Sequence, residues 1–145
     1  MKRAAEKELG LEPVLEEHRQ LREMIERLRH DLSEGAIASL ATNLIELQQQ
    51  LESHFAYEER GGYFREAVRK RPYLAPQTER LLREHREFLE QLKELGSLAA
   101  AACAAESWQH IRVTYESFRQ RFLDHEQAED RLLWEVFGTD TGAGD

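Results

Sequence analysis

Four stretches of the chain place apolar residues at alternating steps of three and four, and this spacing limits the fold more than any other feature. A seam of that kind runs along one face of an α-helix and has to be buried against neighbouring helices. The first seam is Val14, His18, Leu21, Ile25, Leu28 and Leu32, and the second is Ile37, Leu40, Leu44, Leu47, Leu51, His54 and Glu58. The third is Leu81, His85, Phe88, Leu92 and Leu95. The fourth is Trp108, Ile111, Tyr115, Phe118, Phe122, His125, Glu129, Leu132 and Val136.

Helices are expected over about Pro13 to Leu32, Ala36 to Arg60, Pro76 to around Gly96 or the alanine stretch beyond it, and Ser107 to Phe137. Pro13 suits a first helical turn, Gly61-Gly62 ends the second pattern, and Ser107 can act as an N-cap. The connector from Tyr63 to Ala75 has room for one short helical turn. With 145 residues and mostly short loops, the expected architecture is one all-α domain over residues 1–145. It is an up-down-up-down antiparallel four-helix bundle with its core over about 12–137 and a polar tail at 138–145. Only 3 Pro and 8 Gly occur, too few for the frequent turns of an all-β fold.

Polar residues interrupt every seam. Each carries one histidine, and the second and fourth add a glutamate four residues later. In an up-down bundle the starts of the odd helices and the ends of the even ones share one end. His18, His54, Glu58, His85, His125 and Glu129 are therefore expected at one level. Imidazoles and carboxylates buried among leucines are costly unless a cation pairs them. Their mixed nitrogen and oxygen donors suit iron, manganese or zinc and are poor for calcium or magnesium. A closed structural zinc site uses four ligands, so six donors fit a two-metal centre with open positions better. Glu17-His18 with His54-x-x-x-Glu58-Glu59-Arg60 is echoed by Glu84-His85 with His125-x-x-x-Glu129-Asp130-Arg131. That echo suggests a quasi-twofold centre with one metal per helical hairpin.

Other residues read differently. His30 and Glu34 share the i,i+4 spacing but lie off the seam, at a helix end. His110 sits about 22 Å along the helix from His125 at ~1.5 Å per residue, too far to join the cluster. Glu17, Glu59, Glu84 and Asp130 adjoin seam residues and are expected on solvated faces. Tyr63, Phe64, Trp134 and Phe137 are expected to plug the polar end of the core, and Cys103 to be a small packing residue. A net charge of −8 argues against nucleic acid or an anionic membrane as partner, and Arg69-Lys70-Arg71 is too short to change that. No apolar signal core and no long apolar run occur, and the single cysteine suits a reducing compartment, so a cytoplasmic location is expected. Glu-x-x-His, which ferritin-like di-iron sites require, is missing, as is the C-x-x-C-H of attached heme.

The segments SHFAYEER and DHEQAEDR on the second and fourth helices, with EEH and REH on the first and third, resemble the hemerythrin-like, or HHE cation-binding, family. The resemblance covers about residues 12 to 137. It implies a non-heme pair of iron ions with an oxo or hydroxo bridge and carboxylate bridges. His18 and His54 would serve one iron, His85 and His125 the other, and Glu58 and Glu129 would bridge. Oxygen-carrying hemerythrins have two histidines four apart on the third helix, whereas here Leu81 and Leu89 flank His85 at that spacing. They also place the last carboxylate one position later, at Asp130. At ~100° per residue, Glu129 stays on the seam and Asp130 turns away, which favours Glu129.

The four-histidine set favours binding or sensing of O2 or NO, or iron handling, over reversible oxygen carriage. Oxidative chemistry at the same centre, as peroxide breakdown or ferrous oxidation, is the alternative. Leu21, Leu51, Phe88 and Phe122 form the layer above the centre, an apolar roof that would admit a diatomic molecule or peroxide and exclude bulk water. A sensor of this size would need a protein partner to carry its signal.

Overall fold

Burial follows the apolar seams, which explains where the helices lie. In a computed structural model that describes residues 11–35, 37–102 and 105–138, five α-helices account for most of the chain. They are α1 (Leu11–Glu34), α2 (Ile37–Arg60), α3 (Tyr63–Lys70), α4 (Ala75–Ala101) and α5 (Ala105–Leu133). A 3-10 turn, Pro72–Leu74, leads into α4, and a π-helical segment, Trp134–Gly138, ends the described chain. The side chain of Ile37, Cys103 and the tail beyond Gly138 lie outside the described residues.

The four long helices form the antiparallel bundle. α2 packs on α1 and α4, and α5 packs on α4 and α1. α1 buries Val14, His18, Leu21, Ile25, Leu28 and Leu32, its whole seam. α4 buries Leu81, His85, Phe88, Leu92 and Leu95 and extends the stripe at both ends with Thr78 and Ala99. The alanines beyond Gly96 therefore continue the helix, as their high propensity favours. On the far side of the break α5 is already helical at Ala105, so Ser107 lies inside the helix rather than at its N-cap.

The connector holds more structure than one turn. Gly62, at φ 88°, takes the left-handed conformation that turns the chain from α2 into α3. At Gly61 a Cβ would stand 2.5 Å from the Tyr57 carbonyl oxygen, so the turn is too tight for a side chain. α3 then buries Tyr63, Phe64 and Ala67 across the end of the bundle, against α2, α4 and α5. Burial of that face explains how an eight-residue helix persists.

The apolar core comes in two parts. The larger runs through the bundle and includes Leu21, Leu51, Phe55, Phe88 and Phe122. The smaller, at the end closed by α3, contains Val14, Tyr63, Phe64, Leu81, Leu132 and Val136. Trp134, expected in this plug, is 54% exposed, and Leu133 is buried instead. The seam residues Leu132 and Val136 stay buried on either side of it, and the indole stands about 200° around the helix from Leu132. Between the two apolar clusters lies a layer of polar side chains. No helix among the described residues is long and apolar enough to cross a membrane.

Candidate metal centre

The polar layer is built from one level of each long helix. α1 contributes His18, α2 contributes His54 and Glu58, α4 contributes His85, and α5 contributes His125 and Glu129; all six are buried. The four imidazoles point Nε2 inward. His18 Nε2 lies 3.2 Å from Glu58 Oε2 and 3.1 Å from Glu129 Oε1, and His54 Nε2 lies 3.1 Å from Glu58 Oε2. On the other side His85 Nε2 is 3.0 Å and His125 Nε2 is 2.7 Å from Glu129 Oε2, while Glu58 Oε1 is 3.3 Å from His85 Nε2. The donor atoms of His18, His54, Glu58 and Glu129 fall within 4.8 Å of one another, as do those of His85, His125 and Glu129.

Each outward nitrogen is held by a second carboxylate. Nδ1 of His18 donates to Asp130 at 2.6 Å, that of His54 to Glu17 at 2.9 Å, that of His85 to Glu59 at 3.0 Å and that of His125 to Glu84 at 2.7 Å. This corrects the expectation that these four acids point into solvent. They remain partly exposed, with side chains 20–47% accessible, yet each reaches across a helix–helix boundary to its histidine. A carboxylate on Nδ1 fixes the tautomer and the ring orientation, and leaves the Nε2 lone pair for a cation.

Electrostatics in the absence of a cation show what the layer lacks. Burial alone would depress the His18 pKa, but hydrogen bonds to Asp130, Glu129 and Glu58 push it up to about 12. Burial is likewise outweighed at His85, which is raised to about 10 by Glu129 and Glu58, and at His54, which is raised by Glu58 and Glu17. For Glu129 burial acts upward, yet hydrogen bonds from His125, His18 and His85 hold its carboxyl well below the usual range. Protons on Nε2 thus stand between the carboxylates where positive charge is needed. Even so, Oε1 of Glu58 and Oε1 of Glu129 are buried and accept no hydrogen bond. Divalent cations would replace those protons and engage the two orphaned oxygens, so the residues present fit a metal.

The family model of the hemerythrin HHE cation binding domain matches residues 9–133, a span that includes every residue of this layer. The chain belongs to the hemerythrin HHE cation-binding family. Comparison with curated proteins and with solved structures gives no match. Metal binding by an HHE domain agrees with the donor set found here.

Around this HHE centre the structure reveals two residues that sequence reasoning missed. Phe55 stacks flat on His85, with ring centroids 3.9 Å apart and planes 7° from parallel. Glu126 is 2% exposed, and neither of its carboxylate oxygens has a hydrogen-bond partner. Burial pushes its pKa up to about 8, against the opposing influence of His18 and Arg22. Both residues directly follow a seam histidine, and in Glu126 the charge disguised an inward position. Leu21, Leu51, Phe88 and Phe122 are all buried beside the centre, with Phe88 edge-on to His125 at 5.1 Å. His30, Glu34 and His110 are exposed and take no part.

Proposed function

We propose that the protein binds two iron ions in this layer and that the pair binds or senses O2 or NO. His18 and His54 would hold one ion and His85 and His125 the other, with Glu58 and Glu129 shared between them. The observation that carries the reading is the orientation of the four imidazoles, whose Nε2 atoms converge on two buried carboxylates while each Nδ1 is held from outside. A ferrous pair supplies open coordination positions for a diatomic molecule and electrons to reduce it.

The chain's own residues select what arrives. Leu21, Leu51, Phe55, Phe88 and Phe122 are buried against the layer and exclude water from that side. A cavity of about 230 Å³ lined by Glu17, Leu21, Met24, Gln50 and His54 leads from the surface to the His54–Glu17 pair. Its size suits a diatomic molecule, peroxide or a hydrated cation rather than a large organic substrate. The outer carboxylates keep the imidazoles oriented and raise their basicity. Manganese or zinc suits the same donors, and a single cysteine is compatible with a reducing, cytoplasmic setting. Signal output would pass through a protein partner.

Metal analysis and absorption spectroscopy test the reading. About two irons per chain are expected, as in other two-metal sites, with near-ultraviolet bands in the oxidised protein. The anaerobic ferrous protein should change its spectrum on exposure to O2 or NO; a spectrum indifferent to both would remove the gas-binding reading. Consumption of many equivalents of peroxide or ferrous iron per chain would replace it with an oxidative activity.

A further inference from the structure

A cavity larger than the one at Glu17 lies between α3 and α4. Its volume is about 580 Å³, within the ~300–1,000 Å³ usual for small-molecule sites. Phe64 and Val68 of α3 and Ala75 and Leu82 of α4 line it with hydrocarbon, and Val68 and Leu82 are only half-buried. Along α4 the lining runs from Ala75 to Arg86, about 16 Å at ~1.5 Å per residue. A cavity of that length and lining suits a hydrocarbon chain better than a bare inorganic ion.

Positive charge is concentrated at one end. Phe64 and His85 approach each other there, with ring centroids 6.0 Å apart. Arg65 and Arg86 directly follow these two residues in sequence, and both line the cavity. Neither guanidinium has a hydrogen bond or ion pair among the described residues. By contrast, Arg69 on α3 pairs with Glu66, and Arg80 on α4 pairs with Glu84. Glu59, the third charged residue at this end, is already engaged with Nδ1 of His85 at 3.0 Å. Glu79 also lines the cavity but precedes Arg86 by two helical turns, about 10 Å along α4. Two uncompensated cations beside an apolar channel are complementary to an anionic head on a hydrocarbon body.

We propose that this cavity binds a small organic carboxylate with an apolar tail, its head held by Arg65 and Arg86 and its tail laid against Phe64, Val68 and Leu82. Arginine suits the task because its planar fork can pair with both oxygens of a carboxylate. Glu59 is a wall of the cavity and a partner of His85, so the bound head lies beside the acid that orients one histidine of the metal layer. The site uses none of the metal donor atoms and stands apart from the two-iron reading.

Calorimetric titration of the full chain with octanoate, on iron-loaded and on chelator-treated protein, tests this. Both forms should bind octanoate. Octanol, which keeps the tail without the charge, and acetate, which keeps the charge without the tail, should each bind weaker by about tenfold or more. Arg65→Gln and Arg86→Gln should each weaken octanoate binding by about tenfold or more, the loss expected for a hydrogen bond to a charged group. Arg83→Gln, at an exposed α4 position outside the cavity, should leave it unchanged. All three arginines are exposed, so the variants should keep the circular dichroism of the wild type. Absence of octanoate binding, equal binding of octanol, or wild-type affinity in both cavity variants would overturn the proposal. Binding that vanishes on iron removal would place the carboxylate on the metal, and would overturn this site while leaving the two-iron reading intact.

Discussion

Asp130 on α5 accepts a 2.6 Å hydrogen bond from Nδ1 of His18 on α1, while its neighbour in sequence, Glu129, meets Nε2 of the same ring at 3.1 Å. Two consecutive carboxylates on one helix thus grip opposite nitrogens of one imidazole. The ring cannot rotate without losing both contacts, so its orientation is set before any metal arrives.

Removing an outer acid should loosen the metal without removing a ligand. Asp130→Asn or Glu17→Gln is expected to lower metal affinity by about 10–100-fold with the stoichiometry kept, measured by competition with a chelator of known affinity. Affinity equal to that of the wild type in both variants would return these acids to the role of solvated surface residues.

Ligand replacement should instead change the count. His54→Ala or His125→Ala is expected to reduce bound iron from about two per chain to about one. His30→Ala, at an exposed position, should leave it unchanged. Equal losses from all three would contradict the assignment.

The pH dependence should have opposite signs with and without metal. Histidines start from 6.5, and His18 and His85 are raised in the fold to about 12 and about 10. The folded state then binds more protons than the unfolded one, so this stabilisation is complete below pH 6.5 and is lost as pH rises through the folded values. Metal-free protein should therefore melt at progressively lower temperature as pH rises from about 6.5 to about 10. Metal uptake displaces the Nε2 protons, so affinity should rise over the same interval. Melting curves of chelator-treated protein and Zn2+ titrations across this range check both slopes.

Phe88 is fully buried, edge-on to Phe122 and His125 at 5.3 and 5.1 Å. Phe88→Ala should destabilise the fold by about 3–5 kcal/mol in urea denaturation, because truncation leaves a cavity in the roof. A loss below about 1 kcal/mol would mean that the roof repacks and is not a fixed barrier to water.

Much of the fold was legible because helix seams have a period that sequence displays directly. α1 buries its whole seam, and His30 and Glu34, off the seam, are exposed. The end of the bundle was harder to read. Leu133, next to the seam residue Leu132, joins the apolar cluster closed by α3 while Trp134 stays outside, and that choice depends on where α3 packs. The connector's Tyr63–Lys70 helix was likewise underestimated, since its support comes from burial against α2, α4 and α5.

By itself, the order of residues determined that four amphipathic helices would form and that His18, His54, Glu58, His85, His125 and Glu129 would face the interior, since both follow from angular position around one helix. Tertiary structure decided what flanks that interior. Glu17, Glu59, Glu84 and Asp130 stand beside the seam, where a single helix cannot say whether water or a neighbouring imidazole is met. The same applies to Phe55 on His85 and to Glu126 near Arg22. Those contacts depend on the rotation and stagger of one helix against the next, and packing of the whole bundle sets both.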